Sequence, residues 1–354
     1  MTWRADPRSL LAGPRGRRLC WAIAEHQPAR SEEYLPGPSW QQVRYAGSSP
    51  PDPAALAAEL AAAVTRVDWA RRLAGSDDVA LAAPLAESAD WAVYWQAPDE
   101  IDQALALPGV AETLLPVARA VADAPGSRWW SSGVELNSQQ HLQPDGGPCG
   151  EPLLSGSGER LAAWREAIDE DELAAAELPA DPAANYSGHW WSSPKWPTPV
   201  STTRVVPGHG PLQLTVIEDA PGWAAVRCWP LTPRPGARIY EITAPGDWVD
   251  LVGRYPLEVS KSRRHDWWRV TGWAGTWLLP DYAAAASDYD AIHLAVSGYL
   301  TTAGRPLPVA GRGCCLLAGW DPDETYWLGD VLSAAGPSVR WVSDDSAVFG
   351  WRMA

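Results

Sequence analysis

Phenylalanine occurs once in this 354-residue chain, at Phe349, and lysine only at Lys195 and Lys261. Core aromatic volume must therefore come from 23 tryptophans and 10 tyrosines, whose N–H and O–H groups want partners when buried. Many of the tryptophans are accordingly expected in the core, each with a hydrogen bond. Cysteine is sparse and odd in number, five residues with Cys314 and Cys315 adjacent and no C-x-x-C spacing. That excludes a disulfide framework or a zinc knuckle and leaves reduced, mostly buried thiols. The six histidines show no H-x-x-x-H pair, so no metal is expected. No apolar run approaches the ~18 residues of a membrane-spanning helix, and the Arg-rich first thirty residues lack a secretory h-region. G-x-G-x-x-G, Walker and G-x-S-x-G motifs are also missing, which argues against a Rossmann dinucleotide site, a nucleoside triphosphatase and a hydrolase elbow.

Positive charge is in deficit. Twenty-eight Lys and Arg face 43 Asp and Glu, a formal net charge of −15. Such a field repels phosphate backbones and anionic lipid, so no nucleic acid and no membrane partner is expected, and the chain reads as soluble and cytoplasmic. A small-molecule ligand is the expected partner.

The length suggests more than one compact unit. Residues 1–142 read as a mainly helical domain with at least one strand. In DPAALAAELAAAVTRVDWARRLAG, Asp52 can cap, Pro53 suits the first helical position, and Leu56, Leu60, Val64 and Val67 share a face up to Gly75. GVAETLLPVARAVADAPG is a second amphipathic helix, kinked by Pro116 or begun near it. Between them DWAVYWQ alternates like a strand. Residues 143–184 read as a Gly/Pro/Ser linker, exposed over 143–158, followed by an acidic helix with a solvated face, ERLAAWREAIDEDELAAAEL. Residues 185–354 read as a strand-rich α+β domain with a mostly antiparallel sheet. Its strands are PLQLTVIED, WAAVRCW, ARIYEIT, HDWWRVTG, TWLLP, AIHLAVSGYL, CCLLAGW, TYWL and AVFGWRM, and its helices GDWVDLVGRY and PDYAAAASDY.

Two features stand out from composition. The phrase WWSS occurs after Arg128 and again after His189. Trp-Trp pairs alone mean little, since about one and a half are expected by chance against the three present, but the repeated Ser-Ser extension exceeds composition. The two phrases suggest an aromatic cleft of Trp130, Trp190, Trp191 and Trp196, with Tyr186 and His189 nearby, for a small molecule, a sugar or a partner segment. The second feature is SKSRRHDWW, in which Arg263, Arg264 and His265 are spaced to hold a phosphate or carboxylate if they do not simply form a solvated turn.

The C-terminal half, about 120 residues, resembles ADP-ribosyltransferase-like domains in the order of three residues: Arg238 heading RIYEI, Ser260 or Ser262 in LEVSKS, and Glu324 in DPDETYWL. The resemblance implies NAD as substrate, held at its pyrophosphate by Arg238; Arg263, Arg264 and His265 of the basic cluster are further candidates for binding that cofactor. It further implies catalytic roles for Ser260 or Ser262 and for Glu324, which would stabilise developing oxocarbenium charge. The whole chain also resembles tryptophan-rich proteins of high-GC bacteria, a likeness that implies no mechanism. Two functions are therefore expected in competition: an NAD-using transferase or glycohydrolase, and a non-catalytic binding protein with a Trp-lined cleft.

Overall fold

The computed structural model describes residues 6–25, 52–107, 109–146, 151–195, 199–347 and 349–354. Among the described residues up to 127 helices dominate: α1 (Pro7–Leu11), α2 (Pro14–Glu25), α3 (Pro53–Val64), α4 (Trp69–Leu73), α5 (Asp78–Asp90), α6 (Glu100–Leu105), α7 (Val110–Thr113) and α8 (Leu115–Asp123). Most begin at an aspartate whose carboxylate accepts a first-turn N–H, as Asp6, Asp52, Asp68, Asp77 and Asp99 do. Pro116 lies in the first turn of α8, where its missing N–H is harmless. The helix expected to run from Asp52 to Gly75 is broken in two. Asp68 caps a new start by accepting from Arg71 N–H, and the Trp69 indole donates to the Val64 carbonyl at 2.9 Å.

DWAVYWQ is not a strand. Its backbone closes turns on itself, Ala92 N–H to Ala89 O and Gln96 N–H to Val93 O. The alternation is nonetheless real as burial: Tyr94 points inward, while Trp95, 40% exposed, donates its indole N–H to Asp219.

Helix α9 (Ser157–Ala174) leads into the strand-rich part. One four-stranded sheet has the order β2 (Ser201–Thr202), β12 (Thr325–Trp327), β9 (Ala291–Leu294), β6 (Ile239–Ile242), with β6 and β9 parallel and the other pairs antiparallel. A second runs β10 (Leu307–Val309), β11 (Gly313–Cys315), β8 (Trp277–Pro280), β7 (Pro256–Glu258), again with one parallel pair, β8 and β11. The largest, antiparallel throughout, joins β1 (Gln139–Pro144), β5 (Ala225–Pro233), β14 (Val339–Ser343) and β15 (Trp351–Met353), with β13 (Leu332–Ala334) also on β5. A short hairpin pairs β3 (Val205–Val206) with β4 (Gly210–Pro211). The helices between the strands are α10 (Pro245–Arg254), α11 (Arg264–Thr271), α12 (Tyr282–Ala285) and α13 (Val296–Thr302). The chain is thus α+β with antiparallel and mixed sheets.

Three strand expectations change. HDWWRVTG is α11, with His265, Asp266 and Trp267 buried together and Gly272 in the left-handed conformation closing it. PLQLTVIED turns at Leu212–Leu214 because Thr215 and Val216 N–H both bond to Leu212 O, although Leu212, Leu214 and Val216 are buried as the pattern suggests. AIHLAVSGYL divides at Ala295 into β9 and α13. A side chain at Gly298 would stand 2.1 Å from the Ile242 carbonyl, so glycine is what lets α13 lie directly on β6.

One apolar core extends from Leu10 through the helices to Leu328, drawing on residues from both ends of the sequence. The expected boundary at 142/143 falls inside β1, whose Gln143 is buried against β5. The loop expected over 143–158 is therefore shorter, since Gln143 and Pro144 belong to β1 and Ser157 opens α9. The acidic face of α9 is engaged rather than solvated throughout: Glu172 accepts from Lys261 and Ser262, and Asp171 meets His189. Among the described tryptophans only Trp95 is exposed, and Trp69, Trp267, Trp320 and Trp327 are buried with their indole N–H groups bonded. Four cysteines, Cys20, Cys228, Cys314 and Cys315, are free and buried, and burial raises each thiol pKa. Cys149 lies outside the described residues.

Candidate functional site

A cavity of about 340 Å³ opens where the N-terminal end of α2 meets the turn 91–99, the end of α11 and the segment after α13. Its position follows from local chemistry. Pro14 begins α2, Gly304 turns the chain after α13 with φ +74°, and Tyr94 packs against that turn; a Cβ on Gly304 would lie 2.8 Å from Pro14 Cγ and 3.0 Å from Tyr94 Cε1. Gly304 N–H bonds to Leu317 O, fixing the turn on the strand-rich side.

Four arginines and two aspartates govern its electrostatics. Arg18, fully buried, forms a two-pronged ion pair with Asp99 at 2.9 and 3.0 Å and reaches Asp102 at 3.3 Å. Arg15, 2% exposed, pairs with Asp102 and donates to Ser88 O. Burial opposes the charge on Arg15, but Asp102 outweighs it and the guanidinium pKa stays above its ordinary value. The Arg18 guanidinium also lies 4.7 Å from the Trp91 ring centroid and 5.1 Å from that of Trp21. These two aspartates and two arginines balance one another.

Arg17 and Arg305 line the same cavity and have no such partner. Among the described residues neither has a carboxylate within 4.0 Å; Arg17 donates to Leu11 O at 3.0 Å and Arg305 to Thr301 O at 2.6 Å. Arg17 Nε is buried without any partner. Burial lowers the Arg17 pKa first, and the nearby charges of Arg15 and Arg305 lower it further against the pull of Asp102. Arg305 Cδ would lie 3.1 Å from a side chain at Gly13, which places it against the start of α2. Two uncompensated cations thus face a cavity at a helix N-terminus, where the helix dipole adds positive potential. Trp91, Tyr94 and Val270 supply an apolar wall, and Gln103 and Thr271, which also line it, donate to Pro98 O and Trp267 O.

Behind Tyr94 the interior carries an unusual density of acid. Glu218, Asp321 and Glu324 are each at most 6% exposed. Glu218 accepts Gly319 N–H at 2.6 Å, its other oxygen being buried without a partner. Asp321 accepts from Gln213 at 2.9 Å and from Glu218 N–H at 2.8 Å, and Glu324 accepts Asp321 N–H at 3.2 Å. Burial, reinforced by the charge of Asp321 and opposed by Lys195, raises the pKa of Glu218 and brings that of Glu324 to about 7. A separate network balances its charge: Arg204 donates to Asp323 at 2.7 Å, and His293 stands between Asp323 and Glu241. Sequence reasoning missed Glu218, Asp321 and the His293 partners, because no spacing links them.

The residues picked out from the sequence do not share one cleft. Arg238 gives its guanidinium to Asp290 and to Ser287 O, at the start of β6. Its carbonyl is level with Asp290, whereas the Glu324 carbonyl accepts from Leu294 N–H. The four intervening steps along β9 are about 13 Å of strand, so Arg238 and Glu324 stand at opposite ends of the sheet. Ser260 bonds to Glu258 and to Trp277 N–H, and Ser262 to Glu172. Arg263, whose pKa burial lowers to about 10, donates to Trp191 O, Arg264 donates to Ala175 O, and His265 faces Pro179 O. That basic cluster fastens α11 to the segment after α9.

Each WWSS phrase makes structural contacts. Trp130 is 1% exposed, and its carbonyl accepts Ser297 N–H. Ser192 and Ser193 lace the second phrase to Ala318 and Gly319. Trp191 packs on His189 with centroids 4.7 Å apart, and Trp190 meets Tyr94 at 6.3 Å, behind the cavity wall. Trp196 lies outside the described residues. Among the described residues no helix is long and apolar enough to cross a membrane. No protein-family model matches the chain, and no match was found to a curated protein or to a solved structure.

Proposed function

We propose that the chain is a binding protein for a small organic anion, held in the cavity between Arg17 and Arg305. The observation that carries this reading is a pair of arginines that line one cavity with no carboxylate within 4.0 Å among the described residues, in a protein of net charge −15. An anion there relieves two half-buried like charges that no carboxylate within 4.0 Å neutralises among the described residues. The volume is at the low end of the roughly 300–1,000 Å³ of small-molecule sites, and the mix of apolar wall and few convergent polar groups is what such sites require. The NAD-using alternative needs Arg238, a serine and Glu324 around one ligand. Arg238 is engaged by Asp290 at the far end of the sheet from Glu324, so the binding reading is the better supported of the two.

The test uses 1-anilinonaphthalene-8-sulfonate, an aromatic anion that brightens in apolar surroundings. Titration into the wild-type protein is expected to give saturable fluorescence. The variants Arg17→Ala and Arg305→Ala are each expected to weaken it about 10- to 150-fold, the range for losing a hydrogen bond to a charged group of ~1.5–3 kcal/mol. Equal affinity in wild type and in variants that retain the wild-type circular dichroism spectrum overturns the proposal.

A further inference from the structure

Deepening the anion-binding reading, on which it rests, we infer that the ligand is a phosphomonoester with a compact, largely apolar body. Of the four arginines at or behind the cavity, Arg15 and Arg18 are matched by Asp99 and Asp102, leaving Arg17 and Arg305. A carboxylate or a sulfonate carries one charge and leaves one of these cations unmatched. A phosphomonoester, with its second pKa near 6, carries close to two at neutral pH and matches both.

Geometry points the same way. Arg17, in the first turn of α2, donates to Leu11 O, and the Arg305 stem lies against Gly13, just before that turn, so both side chains border the start of α2. A tetrahedral group with three terminal oxygens can accept from both arginines while its third oxygen meets the helix end. A planar carboxylate has two oxygens, and one arginine alone can take both. Helix α2 has twelve residues, long enough for its dipole to act at that end.

The rest of the cavity describes the remainder of the ligand. Beyond the arginines the wall is Trp91, Val93, Tyr94, Pro98 and Val270, while the Gln103 amide already donates to Pro98 O. Few polar groups are left to satisfy a hydroxyl-rich sugar, and about 340 Å³ suits a ring-sized body better than a dinucleotide. Asp99 and Asp102 also line the cavity but do not repel the phosphate, since both carboxylates are held in ion pairs.

Isothermal titration of the full chain with phenyl phosphate, benzenesulfonate and benzoate at pH 7.5 separates the possibilities. Phenyl phosphate is expected to bind at least tenfold more tightly than either monoanion, and its advantage to fall to about twofold in Arg17→Gln and in Arg305→Gln. Its affinity is also expected to fall as pH drops through 6, where the dianion takes up a proton, with benzoate unchanged over the same interval. Benzoate or benzenesulfonate binding as tightly as phenyl phosphate overturns the phosphomonoester inference while leaving the anion site intact. Loss of arginine dependence for the anilinonaphthalene probe removes the site itself, so the two failures are distinct.

Discussion

His293 donates to the Glu241 carboxylate at 2.5 Å from Nδ1 while its other ring nitrogen meets Asp323 at 3.2 Å, in the middle of the β6–β9–β12 sheet. Burial works against a charged imidazole, but the hydrogen bonds and charges of the two carboxylates outweigh it and hold the pKa at about 9. The ring is therefore cationic in the folded protein at neutral pH. Because the folded pKa lies above the ordinary 6.5, the stabilisation is complete below pH 6.5 and is lost as pH rises through 9.

His293→Ala is expected to destabilise the protein by about 3–5 kcal/mol at pH 6, since it leaves Asp323 and Glu241 without their shared cation. Urea denaturation at pH 6 and pH 9.5 measures it, and the gap between wild type and variant is expected to narrow by about 3 kcal/mol at the higher pH. A gap that stays constant removes the charge from the explanation.

Glu324 predicts the opposite response to removing a charge. With its carboxyl pKa raised to about 7 by burial and by Asp321, the folded state loses stability as pH climbs from about 4.5 through 7. Glu324→Gln cannot ionise, yet its side-chain carbonyl can still accept Asp321 N–H. The variant is expected to gain on wild type at pH 8, by at most about 3 kcal/mol, and to show no gain at pH 4. Thermal unfolding of both proteins across that range reads the crossover.

Gly304 couples the fold to the cavity. At φ +74° an alanine is strained by about 1–3 kcal/mol, and its Cβ presses on Pro14 and on the Tyr94 ring. Gly304→Ala is therefore expected to lower the urea midpoint and to weaken anilinonaphthalene sulfonate binding together. A variant that loses stability but keeps full affinity shows that Tyr94 does not shape the site.

Local chemistry made several elements legible. Asp52 and Pro53 announce the start of α3, and short apolar runs between turns announce β5, β6 and β8, because caps and turn signals act between near neighbours. The surplus of tryptophan announced a core built from indoles; Trp69, Trp267, Trp320 and Trp327 bond their N–H groups, whereas the buried Trp129 Nε1 has no partner among the described residues. HDWWRVTG misled because its pattern is short enough to fit either period; what makes it a helix is contact with residues 175–191. A similar limit applies to function. The first thirty residues are visibly rich in arginine, but nothing in the sequence says that Arg18 finds Asp99, 81 positions away, or that Arg15 finds Asp102, 87 positions away. Charge compensation is a matter of distance in space. Only the tertiary structure decides which arginines are neutralised, and so it alone leaves Arg17 and Arg305 without a carboxylate partner among the described residues.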